Sequence, residues 1–240
     1  MPQTAQRSKL KPTMSHQIPL KLERPESYGL TDLIVSETNQ GLIDLLRAPK
    51  DWINPHLILI GPSGSGKTHL GHIFADINHG QFLSASETHY MEPSSLPECA
   101  VVVDDAEQAD EELLFHLFNH SLQTEQPLVL LSKTHPLNWQ TALPDLASRL
   151  KAMRVVDIPE PDEAILSGVL KKLFAHHAIT PSADFFDYIS RRMERSVPKA
   201  QKIVTEIEDY ANGRAFTRTL AKDFLEKSEN LSWLTDQDDF

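Results

Sequence analysis

A single cysteine, Cys99, in 240 residues leaves no partner for an intramolecular disulfide and points to a reducing compartment. Cys99 itself reads as a small buried hydrophobe at a strand start. Positive charge is also scarce, with 23 Lys and Arg against 34 Asp and Glu and a net charge of −11. Such a surface is not built to neutralise nucleic-acid phosphates, so no direct nucleic-acid partner is expected, although a local basic patch could still exist. No apolar stretch approaches the roughly 20 residues that cross a bilayer, and the N-terminus lacks the apolar core of a signal peptide. A soluble, cytoplasmic protein with no membrane partner is therefore expected. Internal repeats and low-complexity tracts are absent too, which excludes solenoids and arrays. The length suits one substantial core and a smaller satellite domain.

What is present is a complete phosphate-binding loop. Residues 61–68 read Gly-Pro-Ser-Gly-Ser-Gly-Lys-Thr, after the apolar run Leu57-Ile58-Leu59-Ile60 and ahead of a helix-like stretch over 68–76. Gly61, Gly64 and Gly66 let the backbone wrap a di- or triphosphate with inward N–H groups, and the helix N-terminus adds partial positive charge. Lys67 would reach the β- and γ-phosphates and Thr68 would hold Mg²⁺. The candidate nucleotide-binding set is Gly61, Ser63, Gly64, Ser65, Gly66, Lys67, Thr68 and His69.

The rest alternates short β-rich runs with longer helix-like segments, the pattern of an α/β fold with a parallel sheet and crossover helices. Strands are predicted at 57–60, 81–84, 100–104, 128–132 and 154–158. Beyond Pro159-Glu160-Pro161 the strand signals fade, and apolar residues recur at helical spacing over 162–178, 182–193, 198–212 and 217–228. The expected division is a flexible tail over 1–24, an α/β nucleotide-binding domain over 25–158, a small all-α lid over 159–232 and an acidic tail over 233–240. The tail is polar apart from one apolar island, Gln17-Ile18-Pro19-Leu20-Lys21-Leu22.

Val101-Val102-Val103-Asp104-Asp105 has the form of a buried strand that delivers two carboxylates to the sheet edge where such folds present ligands. Asp104 suits Mg²⁺, directly or through water. Asp105 could polarise an attacking water, or both could simply cap the following helix. Ser132-Lys133-Thr134 ends the next strand, where a polar residue could sense a γ-phosphate or merely form a turn. Arg149 closes a short helix within Leu146-Ala147-Ser148-Arg149-Leu150. Its permanently charged fork could stabilise a transferring phosphoryl group, including one on a neighbouring subunit; read alone it is first of all a surface arginine.

Taken together, the phosphate loop, Val-Val-Val-Asp-Asp, Leu-Pro-Asp-Leu-Ala-Ser-Arg-Leu and the helical lid resemble the AAA+ ATPases of the bacterial replication-initiator DnaA group over residues 28–224. Within that group, stretches 52–69, 143–150 and 191–196 are similar to the Hda/HdaA family, DnaA-related proteins that switch the initiator off. The island is similar to the Gln-Leu-x-Leu-x-Leu peptide by which such proteins dock on the DNA polymerase III sliding clamp (β), through Gln17, Ile18, Leu20 and Leu22; alone, it is also readable as an apolar patch packed on the core.

The resemblance implies a clamp-bound negative regulator of chromosomal replication initiation, carrying ADP or ATP with Mg²⁺, that promotes hydrolysis of DnaA-bound ATP. Arg149 matches the arginine finger that would act in trans. The resemblance also allows a homodimer or higher homo-oligomer. Three departures stand out. Pro198 occupies the usual lid position of a nucleotide-sensing arginine, leaving Lys199 and Arg195 as substitutes. Lys133 stands where DnaA proteins carry aspartate, which implies weak intrinsic hydrolysis. The initiator's helix-turn-helix has no counterpart before Phe240. Two alternatives are a helicase-loader-type AAA+ ATPase that uses its own ATP and a small-molecule kinase.

Overall fold

The computed structural model describes residues 33–193 and 195–235. Five strands, β1 (His56–Ile60), β2 (Gln81–Ser84), β3 (Val101–Asp104), β4 (Leu128–Ser132) and β5 (Arg154–Asp157), form one parallel sheet in the order β2-β3-β4-β1-β5. Parallel pairing requires crossovers, which helices supply on both faces. The central strands accordingly read as unbroken apolar runs, with every residue of β1 and β4 buried, while the edge strands β2 and β5 are only partly covered.

Strand alternation splits this sheet into two cores. Ile58, Ile60, Val101, Val103, Leu128 and Leu130 face α4 (Glu111–Thr124) and α5 (Pro144–Ala152). Leu57, Leu59, Val102, Val129 and Leu131 face α1 (Glu37–Arg47) and α2 (Lys67–Ile77), which bring Leu42, Ile43, Leu46, Leu70 and Phe74. A single further turn, α3 (Ala85–Thr88), follows β2.

A third core belongs to α6 (Glu163–His176), α7 (Ala183–Ser190), α8 (Val197–Ala211) and α9 (Arg218–Thr235). Phe174 sits at its centre, edge-on to Phe185, Phe186 and Phe216 at 5.3–5.8 Å between centroids. Asp162 joins this bundle to the sheet layer. One of its oxygens caps α6 through the Ile165 N–H at 2.8 Å, and the other accepts from the Thr38 hydroxyl in α1, also at 2.8 Å. Among the described residues no helix is long and apolar enough to cross a membrane.

The predicted strands match within one residue at either end. The helices of the last core start within one residue of expectation, and α9 runs on to Thr235. The tail expected over 1–24 and the acidic end, apart from 233–235, lie outside the described residues.

His56 opens β1 and is buried, 4 % exposed, against the Phe118 ring at 3.8 Å between centroids. Its Nε2 has no hydrogen-bond partner. Burial pushes the imidazole from 6.5 down to about 4, opposed by a hydrogen bond with the Phe118 backbone and reinforced by the Arg149 charge. The unfolded chain therefore takes up a proton near pH 6.5 that the folded chain refuses until about pH 4. The stabilisation is complete above pH 6.5 and drains away between 6.5 and 4, by about 3 kcal/mol in total. Urea unfolding across that range should show the slope, and His56→Leu should flatten it by that amount; an equal slope in the variant would mean that other groups set the acid limit.

Candidate functional site

The carboxyl edge of the sheet gathers the loop 61–66, Asp104 with Asp105, and the turn 132–134. Register brings them together, since Ile60 lies beside Ser132 in β4 and the Gly61 N–H continues that ladder to the Ser132 carbonyl at 3.2 Å. The loop turns back through Gly64 and Gly66, at φ +73° and +91°, where a side chain would be strained. Gly66 begins α2 with no side-chain cap, so the first-turn N–H groups are left for a ligand.

Lys67 is 6 % exposed, and its Nζ donates to the Gly61 and Pro62 carbonyls at 2.7 and 2.9 Å. Burial, then the Lys133 charge, hold this ammonium below the usual lysine range, against the pull of Asp104, Asp105 and Glu107. The Thr68 hydroxyl donates to Asp104 Oδ2 at 2.7 Å, and the Asp105 N–H donates to Asp104 Oδ1 at 2.9 Å. Both carboxylate oxygens of Asp104 are thus held, one by a backbone N–H and one by the Thr68 hydroxyl.

A hydroxyl and one carboxylate suit a Mg²⁺ ion that takes its other ligands from phosphates and water. No cluster of three or more His, Cys, Asp or Glu able to hold a metal alone occurs among the described residues. The buried, unpartnered Ser65 Oγ adds a polar atom beside the loop. Bound there, a nucleotide would bring phosphate charge for the loop and Lys67 to hold, with Thr68 and Asp104 at the metal.

Beside the loop opens a cleft of about 150 Å³, between α1, α2, the 158–161 link and the helical bundle. Ile34, Leu42, Leu70, Ile158, Ile165 and Val197 make it apolar, with His69 and Ser65 on the loop side. This shape suits a flat base next to bound phosphates.

Asp105 and Lys133 are not separate features. Asp105 lies in the left-handed region at φ +49°, and its Oδ1 meets Lys133 Nζ at 2.9 Å. That hydrogen bond and the Asp105 charge hold Lys133 above the ordinary lysine range. The Ser132 hydroxyl is closed on its own turn, donating to the Thr134 carbonyl at 2.7 Å. The carboxylate predicted to activate water is therefore occupied by Lys133, the residue whose presence at this strand end implied weak intrinsic hydrolysis.

Arg149 lies elsewhere. It sits in the last turn of α5, and its Cζ is 4.8 Å from the centre of the Phe115 ring and 5.2 Å from that of Phe118. Phe118 stacks on His56 at the opposite end of β1 from the phosphate loop.

A curated DnaA from Flavobacterium psychrophilum is 23 % identical over 205 residues, covering 72 % of this chain and 42 % of that protein. Domain III of Thermotoga maritima DnaA superposes with a TM-score of 0.64 at 16 % identity, over 83 % of this chain and 96 % of that domain. AMPPCP-bound DnaA from Aquifex aeolicus gives 0.62 at 19 %, over 85 % and 70 %. The fold is the AAA+ fold of DnaA domain III. No family model matches the chain. The chain is related to the DnaA replication initiators, but it spans about half or less of the length of those first matched relatives, 42 and 43 % in two cases.

On this AAA+ fold, Gly61, Gly64, Ser65, Gly66, Lys67, Thr68, His69 and Asp104 converge at one edge, with Ser63 exposed at the loop tip. Pro198 packs against Gly64 from the first turn of α8, with Arg195 and Lys199 exposed beside it. Gln17, Ile18, Leu20 and Leu22 lie outside the described residues. Sequence reasoning missed the apolar wall of the cleft, because Ile34, Ile158 and Ile165 come from separate segments with no shared spacing. It also missed the aromatic surroundings of Arg149, since Phe115 and Phe118 read as ordinary helix-core positions.

The ion pair leads to an expected outcome. Lys133→Met should release Asp105 and raise the chain's own ATP turnover several-fold, and adding Asp105→Asn should cancel the gain. Steady-state phosphate release measures both; a gain that survives in the double variant would assign the effect to something other than Asp105.

Proposed function

We propose that this chain is a nucleotide-binding, DnaA-related regulator that switches off replication initiation in the cytoplasm, by stimulating hydrolysis of ATP bound to DnaA. One observation carries the reading: the arginine that matches the finger motif stands away from its own phosphate loop. β1 runs from His56 to Ile60 between the Arg149 neighbourhood and Gly61, about 16 Å at some 3.3 Å per residue. No hydrogen-bond acceptor for Arg149 occurs among the described residues, and its neighbours are aromatic faces. A guanidinium so placed is available to an anionic group on another molecule. A finger supplied in trans is worth about 10³- to 10⁵-fold in rate.

The chain's own nucleotide, ADP or ATP with Mg²⁺, then serves to hold the sheet layer and helical bundle in one arrangement. The Asp105–Lys133 pair supports weak turnover of that nucleotide. The island in the N-terminal segment would bind the DNA polymerase III sliding clamp through Gln17, Ile18, Leu20 and Leu22, while residues 159–232 would form the lid. In this reading the acidic surface meets protein partners rather than nucleic acid directly, and a homodimer would hide Arg149. The second reading, a helicase-loader-type ATPase, requires the chain to use its own ATP.

Two variants test the division of labour. Arg149→Ala should keep clamp binding and lose at least a hundredfold of the stimulation of DnaA-bound ATP hydrolysis. Gln17→Ala with Leu20→Ala should keep nucleotide binding and lose clamp binding in a pull-down with the loaded clamp. Unchanged stimulation removes the finger assignment, and unchanged clamp capture removes the peptide assignment.

A further inference from the structure

Arg149 is aligned by the neighbouring helix rather than by its own. Three residues on one face of α4, at positions i, i+4 and i+7, meet successive parts of α5 and the turn before it. Glu111 comes first. Its Oε1 accepts from the Ala142 N–H at 3.0 Å, and its Oε2 accepts from the Ala142 and Leu143 N–H groups at 2.9 and 3.0 Å. Leu143 is the residue before α5, which has no side-chain cap of its own and starts on Pro144. One carboxylate from α4 thereby pins the backbone that leads into α5 and sets a negative charge beside its N-terminus.

Phe115 and Phe118 come next, with the Arg149 guanidinium over both rings. Phe118 is buried and fixed from below by His56, while Phe115 and Arg149 are half-buried. Stacking engages the flat face of a guanidinium and leaves its in-plane N–H donors outward, the edge that pairs with phosphate oxygens. A long side chain of this kind otherwise samples many rotamers, and each must be frozen when the finger engages.

We propose that Glu111 and Phe115 are positioning residues that pre-align Arg149 for a phosphate on the partner molecule. The inference rests on the reading of Arg149 as a finger in trans. Glu111 sets where α5 starts, and the aromatic shelf sets where its guanidinium ends. Loss of either leaves the arginine present but unaligned, so the partner is still bound while the maximal rate falls.

The test uses the full chain with ATP-bound DnaA and the clamp on DNA, titrating the chain to separate maximal rate from half-saturating concentration. Phe115→Ala should lower the maximal rate about tenfold, as expected for a lost cation–π contact, with the half-saturating concentration unchanged. Phe115→Tyr should restore the rate, and in an Arg149→Ala background Phe115→Ala should cost nothing more. Glu111→Ala, at the helix surface and away from the core, should act in the same direction. The Arg149 Nε–Hε NMR signal should carry a ring-current shift that shrinks in Phe115→Ala, where the Phe118 ring alone remains, and returns in full in Phe115→Tyr. Full stimulation by Phe115→Ala while Arg149→Ala is inactive overturns this proposal alone, as does a shift-free wild-type signal. Full stimulation by Arg149→Ala overturns the reading beneath it, and the proposal with it.

Discussion

The polarity of a single buried strand organises this molecule. β1 runs through the sheet between β4 and β5 with every residue buried. Its carboxyl end turns into the phosphate loop, and its amino end carries His56 under Phe118 and Arg149. Parallel pairing then fixes what accompanies each end. β3 and β4 deliver Asp104 and the 132–134 turn to the loop, while α5, which must return to start β5, carries Arg149 back toward the other edge. The distance between phosphate loop and arginine is therefore a property of the sheet, and side-chain motion cannot close it.

Around that constraint the polar groups divide into those poised for a ligand and those tied to each other. Thr68 and Asp104 are joined by a short hydrogen bond at the foot of the phosphate loop. Asp105 and Lys133 are joined as well, in a pair that competes with water for the carboxylate. Such a half-exposed pair contributes little to stability, so its consequence lies in chemistry. Pro198, packed on Gly64, likewise sets an apolar ring against the loop.

Much of this was legible from the chain alone. The unbroken runs Leu57-Ile58-Leu59-Ile60 and Val101-Val102-Val103 could only be buried strands, and the eight residues from Gly61 to Thr68 carry their chemistry in their order. Segments with strong periodicity, such as α6 and α8, were equally plain. What stayed hidden were meetings between distant residues: Ile34 with Ile158 and Ile165 around the cleft, Glu111 with the backbone at 142–143, and Phe115 with Arg149. Each pair follows from helix placement on the sheet, which local pattern does not encode. The Asp105–Lys133 contact was half legible, since both residues were singled out but their pairing was not.

The central claim is that the ATP hydrolysed under this protein's influence belongs to DnaA. It is tested most directly by following single-turnover hydrolysis of ATP preloaded on DnaA, with this chain added, with and without DNA-loaded sliding clamp, and with the chain's own turnover measured in parallel. The account predicts acceleration of DnaA's hydrolysis only when chain and loaded clamp are both present, against slow turnover by the chain itself. Brisk turnover by the chain alone, with DnaA-bound ATP untouched, would contradict it and identify an independent AAA+ ATPase.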